Sequence, residues 1–274
     1  MTKKITTQDH LAEVQASFDE QQNPRLVEIL RSAVKHLYAF VEETKLTREE
    51  WMTGVEFLTA TGQKCDDVRQ EFILLSDTLG VSMLVEMLNQ MPSDVATDPT
   101  VFGPFYVPGA PEMAMGSSIA REGNDGEPLV FSGTVRDAAG KALEHARLDV
   151  WQVAPNGLYD VQDPASPPFS YRGVFETGPD GHFEILTSRP VDYLIPTDGP
   201  VGQMLAATGR LAWRPAHTHF MVTRPGFKTL ITHAFDADSP HLSSDAVFGV
   251  RESLIIDMNG GTAVFDLVLD VTEE

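Results

Sequence analysis

From Thr7 to about Gln90, apolar residues recur at steps of three and four, the spacing that gathers them on one face of a helix. Leu26, Ile29, Leu30, Val34, Leu37 and Phe40 form the clearest stripe. Asn23 is placed to cap that helix and Pro24 to sit in its first turn. Thr47-Arg-Glu-Glu50 reads as a capping box opening a second helix through Trp51, Val55 and Leu58, which Gly62 ends. Two further helices are predicted, from Asp66 to Leu79 and from Ser82 to Met91. Near Pro92 the period changes. Gly and Pro become dense, as in Gly103-Pro104, Pro108-Gly-Ala-Pro111 and Gly123-Asn-Asp-Gly126. Short β-prone runs follow: Leu129–Val135, Ala146–Val153, His182–Leu186, Thr218–Val222, Thr229–Ala234 and Ala263–Val271. Asp180-Gly181 marks a tight turn. Short strands at this spacing point to a sandwich or barrel rather than to alternating β/α units. The predicted class is α+β, a helical unit followed by a β-rich one.

Composition narrows the picture. The chain has 274 residues and a formal charge of −20, which disfavours nucleic acid and anionic membrane surfaces as partners. The single cysteine, Cys65, excludes an intramolecular disulfide framework and a cysteine-built zinc site. Any metal must therefore be held by nitrogen and oxygen. No apolar run approaches the roughly 18 residues that cross a bilayer, and the polar N-terminus leads into no signal-like segment, so a cytoplasmic protein is expected.

The candidate chemistry starts at His217-Thr218-His219. In a strand, side chains at i and i+2 share a face, so two imidazoles are set side by side. Alone, such a pair is more often surface or hydrogen-bonded than metal-bound. His10 and His36 are read as surface or packing residues, and His145 and His182 as exposed at turns. Tyr159 and Tyr193 are each open to two readings, a hydrogen-bonded amphipathic side chain or a phenolate ligand to a trivalent ion.

Motifs choose between these readings. Leu148-Asp-Val-Trp-Gln-Val-Ala-Pro-Asn-Gly-Leu-Tyr-Asp160, Pro190-Val-Asp-Tyr-Leu-Ile-Pro-Thr-Asp-Gly-Pro200 and Arg214-Pro-Ala-His-Thr-His219 resemble, in order, three metal-ligand segments of the intradiol ring-cleavage dioxygenases. The resemblance extends through the helices and Thr100-Val-Phe-Gly-Pro-Phe105. It implies one Fe(III) per subunit, held by Tyr159, Tyr193, His217 and His219, while Tyr171 matches no ligand position. It also implies an aromatic diol and O2 as substrates, with Tyr193, Arg214 and His233 as catalytic residues. Leu79, Val101, Gly103, Pro104, Phe105, Ile195, Pro196 and Val247 would line the pocket. Residues 1–105 would be a helical dimerisation and linker region, forming a homodimer with room for a phospholipid at its interface. Residues 106–274 would be an antiparallel β-sandwich catalytic domain. Within the family, Pro196–Gly202 and Asp245–Val250 look most like the hydroxyquinol-cleaving branch, and the histidine at 233 fits both that branch and the chlorocatechol-cleaving one. Chlorocatechol- and catechol-cleaving enzymes are the alternatives, and an inactive β-sandwich binding module is the rival from another class.

Overall fold

The computed structural model describes residues 5–90, 92–120 and 126–272. Met91, the expected end of the fourth helix, and most of the Gly123–Gly126 turn lie outside them. The chain packs as two compact units, 1–59 and 60–274.

In the first unit, α1 (Thr7–Ala16) begins at Thr6, whose hydroxyl accepts the Asp9 amide while the Asp9 carboxylate accepts the Thr6 amide. α2 (Pro24–Thr44) starts as expected, with the Asn23 side chain accepting the Leu26 amide at 3.0 Å. Arg31 ties the two helices together by donating to the carbonyls of Gln15 and Phe18 and pairing with Glu20. The capping box at Thr47 and Glu50 is formed and opens α3 (Arg48–Gln63). The α2 stripe is largely exposed, with Val27 the buried residue of that helix.

The described residues of the second unit hold α4 (Glu71–Thr78), α5 (Val81–Asn89), α6 (Pro200–Ala207) and eleven strands. These are β1 (Pro128–Asp137), β2 (Arg147–Trp151), β3 (Arg172–Glu176), β4 (His182–Ser188), β5 (Tyr193–Leu194), β6 (Trp213–Arg214), β7 (His217–Thr223), β8 (Leu230–Asp236), β9 (Ile255–Ile256), β10 (Thr262–Val264) and β11 (Leu267–Leu269). One sheet is built on β1, which pairs with β4, β10 and β11; the other runs β3-β2-β7-β8-β9, and β5-β6 form a small ladder. Between the two larger sheets lies the core, including Phe131, Leu148, Phe183, Ile185, Phe220, Val222 and Phe235.

The differences from expectation have local causes. α4 starts five residues later than Asp66, because the Asp66 carboxylate accepts the amides of Val68 and Arg69 and makes a turn there. The run Ala263–Val271 is two strands rather than one. It breaks at Phe265-Asp266, where the Asp266 carboxylate takes the Thr134 amide and hydroxyl, each at 2.8 Å. β3, α6 and the two-residue strands β5, β6 and β9 lie outside the predicted runs. The sandwich is also mixed, since β10 and β11 run parallel to β1 and β9 runs parallel to β8.

At the strand break, Gly133 leaves room for no side chain. A Cβ there would lie 2.2 Å from the Phe265 carbonyl oxygen and 2.9 Å from Phe183 Cζ. Gly133→Ala is therefore expected to destabilise the fold by about 1–3 kcal/mol through overpacking. Urea denaturation followed by circular dichroism measures this, and an unchanged midpoint would contradict it.

Candidate metal centre

The site is assembled by sheet register. β7 lies in the middle of its sheet, between β2 and β8, so its backbone is fixed on both edges. Alternation sends Phe220 and Val222 into the core and leaves His217 and His219 together on the other face. The register sets Trp151 of β2 and His233 of β8 opposite His219. Trp151 stacks on the His219 ring at 4.6 Å and 14°. The β5-β6 ladder sets Tyr193 opposite Arg214. Tyr159 arrives on the loop after β2, behind a turn at Gly157 whose φ of +78° suits glycine. The Gln162 side chain accepts the Tyr159 amide there.

Four donor atoms converge. Tyr159 Oη lies 2.9 Å from His219 Nε2 and 3.4 Å from Tyr193 Oη, and His217 Nε2 lies 3.1 Å from His219 Nε2. Donors held about 2.0–2.2 Å from one ion stand roughly 3 to 3.5 Å apart, which is this spacing. His217 Nδ1 is 2.6 Å from the Pro215 carbonyl. A carbonyl only accepts, so Nδ1 carries the proton and Nε2 presents a lone pair to its neighbours. Lone pairs crowded at this distance repel unless a proton or a cation lies among them.

Burial sharpens the argument. It pushes His217, His219 and His233 well below the ordinary histidine range, with the nearby Arg214 charge adding to the effect. The three imidazoles are thus neutral, the form that binds metal. Burial, reinforced by Tyr193, drives the Tyr159 phenol well above its usual value, while Arg214 and Arg172 pull the other way. Holding phenolates in such a place requires a strong local cation. Two phenolic oxygens and two imidazole nitrogens suit a hard trivalent ion.

Arg214 borders the donors. Its Nη1 lies 3.1 Å from His217 Nε2 and 3.4 Å from Tyr193 Oη. Burial opposes its charge, but Asp245 and the two phenols more than offset this and raise its pKa. Asp245 accepts from Arg214 Nε at 3.1 Å and from the amide of Gly249 at 2.9 Å.

The other predicted residues fall around this centre to different degrees. Phe105 stacks on Tyr159 at 4.7 Å, and a Cβ on Gly103 would lie 3.5 Å from His219 Cε1. His233 is fully buried with its ring centroid 4.0 Å from that of His219. Val101, Ile195 and Val247 are buried, whereas Pro104 and Pro196 are half-buried. Leu79, just beyond α4, is 56% exposed. Tyr171 stays apart from the donors, its hydroxyl accepting from Ser188. Sequence reasoning did not single out Asp245, Trp151 or Asp77. Asp77 is a buried carboxyl on α4 that burial pushes above the usual range, against the pull of Ser82 and Arg214. A polar residue on the apolar face of α4 was the available signal.

A family model described as a dioxygenase matches residues 101–271, and one described as the catechol dioxygenase N terminus matches residues 23–97. The chain belongs to the intradiol ring-cleavage dioxygenases. It is 49% identical to a 6-chlorohydroxyquinol 1,2-dioxygenase of Cupriavidus pinatubonensis, over 91% of this chain and 92% of that protein. It is also 49% identical to a hydroxyquinol 1,2-dioxygenase of Rhizobium sp., over 86% and 80% respectively. The crystal structure of a hydroxyquinol 1,2-dioxygenase from Pseudomonas putida DLL-E4 superposes with a TM-score of 0.88 at 46% identity. That match covers 96% of this chain and 97% of the other. Among the described residues, no helix is long and apolar enough to cross a membrane.

Proposed function

We propose that this intradiol dioxygenase cleaves hydroxyquinol, 1,2,4-trihydroxybenzene, with O2 between its two adjacent hydroxylated carbons. The product is 3-hydroxy-cis,cis-muconate, which tautomerises to maleylacetate. The observation that carries this reading is the convergence of two phenols and two imidazoles in a chain 44–49% identical to several hydroxyquinol-cleaving enzymes.

Tyr159, Tyr193, His217 and His219 would hold one ferric ion per subunit. That ion supplies a Lewis acid for the diol oxygens and an acceptor for their electrons. Tyr193 Oη receives one of the two substrate protons, and its contact with Arg214 keeps it aimed at the site. Arg214 stabilises negative charge that develops on the substrate, as a buried cation fixed by Asp245 is suited to do. His233 stands over the imidazole pair as a neutral polar wall. Gly103, Phe105, Ile195 and Val247 form apolar walls for the ring, with Leu79, Val101, Pro104 and Pro196 around them.

A third ring hydroxyl needs a polar partner, because a buried unpaired hydroxyl costs about 1–3 kcal/mol. Asp77, a buried carboxyl whose ionised form burial disfavours, supplies a polar group for that role. Hydroxyquinol is therefore expected to exceed catechol in kcat/KM by roughly one to two decades. Oxygen uptake with hydroxyquinol, catechol and 4-chlorocatechol side by side tests this, and a preference for either catechol would remove the substrate assignment. Asp77→Asn is expected to shrink that preference and to raise Tm at neutral pH. The sign follows from linkage. A carboxyl with a raised folded-state pKa contributes most below the ordinary carboxylate range and loses its contribution as pH rises. The Tm gain should accordingly disappear near pH 3.

The Cupriavidus relative favours one variation, a chlorine on the same trihydroxylated ring. Its assay is oxygen uptake with 6-chlorohydroxyquinol beside the parent compound. The reading also takes residues 1–105 as the dimerisation and linker region and residues 106–274 as the catalytic domain of a cytoplasmic homodimer. Exposed Leu26, Ile29, Leu37, Phe40, Trp51 and Leu58 supply an apolar surface for a second copy or a bound phospholipid.

A further inference from the structure

Arg172 is the first residue of β3 and pairs across the sheet with Trp151. It is one of the largest fully enclosed side chains in the protein. Its guanidinium carbon lies 5.7 Å from the centroid of the Tyr159 ring, and Phe105 stacks on the same ring at 4.7 Å and 25°. The partner of Arg172 is Asp160, the residue after Tyr159. Asp160 Oδ1 accepts from Arg172 Nε at 2.8 Å, and Oδ2 accepts the Phe169 amide at 2.8 Å. Arg172 Nη1 has no hydrogen-bond partner, which leaves aromatic faces to receive it.

This arrangement is poorly explained by stability. Enclosing an ion pair takes both charges out of water, and apolar residues of similar volume often serve the fold equally well. An N–H left without an acceptor adds to the cost. A guanidinium within about 6 Å of an aromatic centroid is instead at cation–π distance, and a ring carrying phenolate charge attracts it more strongly than a neutral one.

We infer that Arg172, anchored by Asp160, is a positioning residue that fixes the Tyr159 ring and offsets the negative charge of its oxygen. The pair acts twice on one ligand. Asp160 pins the backbone next to Tyr159, and the guanidinium lies over its ring. The inference rests on Tyr159 being an iron phenolate.

The test uses the iron-loaded protein and its visible tyrosinate-to-iron band. Replacing both partners, Arg172→Met with Asp160→Asn, removes the cation without stranding a buried carboxylate. Taking positive charge from the phenolate makes it a better electron donor, so the band is expected to move to longer wavelength. Freeing the Tyr159 ring from the group that fixes it is expected to outweigh the stronger donation, so that iron is lost to a chelator about tenfold faster. Should that double variant not fold, Arg172→Gln keeps a donor for Asp160 and is read in the same way. Arg172→Lys, which keeps the charge, is expected to hold the band near its wild-type position. An unmoved band and unchanged iron loss in a folded neutral variant would overturn the inference, as would a Lys variant shifted as far as the neutral ones. A wild-type protein with neither iron nor a visible band would instead remove the ligand assignment itself.

Discussion

Tyr193→Phe is expected to retain some iron yet turn over hydroxyquinol about a hundred- to ten-thousand-fold more slowly, the range for loss of a positioned proton acceptor. Tyr159→Phe is expected to act differently, losing the metal or most of the visible band. The surroundings of the two rings explain the asymmetry. Tyr159 is clamped by Phe105, lies under Arg172 and touches His219 at 2.9 Å. Tyr193 sits on a two-residue ladder and meets Arg214 at 3.4 Å. It is the less clamped ring, with no aromatic side chain stacked on its face as Phe105 is on Tyr159, so it is suited to leave the ion and take a proton. Iron content, the visible spectrum and single-turnover rates of both variants separate the roles. Equal and minor effects would show that neither phenol binds iron.

Arg214→Met is expected to lose about 3–5 kcal/mol of stability together with nearly all activity, because it strands Asp245 inside the protein. The Asp245 carboxylate also accepts the amides of Val247 and Gly249, so a disturbance there reaches the wall of the substrate site. Arg214→Met combined with Asp245→Asn removes both charges. It should recover much of the stability and none of the catalysis. Urea denaturation beside oxygen uptake makes the comparison. Recovery of activity in the double variant would show that Arg214 acts through structure alone.

The legible parts of this protein were those fixed by neighbours in the chain. The i, i+2 spacing of His217 and His219 placed two imidazoles on one face, and the caps at Asn23 and Thr47 set the starts of α2 and α3. The tyrosines were ambiguous from spacing, and only their motifs connected them to the histidines. What went unseen depends on distant partners. The N-terminus of α6 is capped by Glu71, whose carboxylate accepts the Val201 amide across 130 positions of sequence. Asp245 gains its meaning from Arg214, 31 positions away, and Arg172 from Asp160, 12 positions away. No local pattern reveals such pairs. The break between β10 and β11 is similar, since Asp266 is recruited by Thr134 on a remote strand.

The parallel pairing of β10 and β11 with β1 also bears on how the chain acquires its shape. The Thr134–Asp266 contact joins residues 132 positions apart, so closing this sheet carries a large loop-closure cost before any reward is collected. During synthesis, β1 and β4 can form their ladder early, but that sheet stays open until residues 262–269 have left the ribosome. Until then Phe131, Val135 and Phe183 lack the cover that Phe265 and Leu267 later give. Slow refolding and a tendency to aggregate before closure are the natural consequences of placing the last strands beside the first.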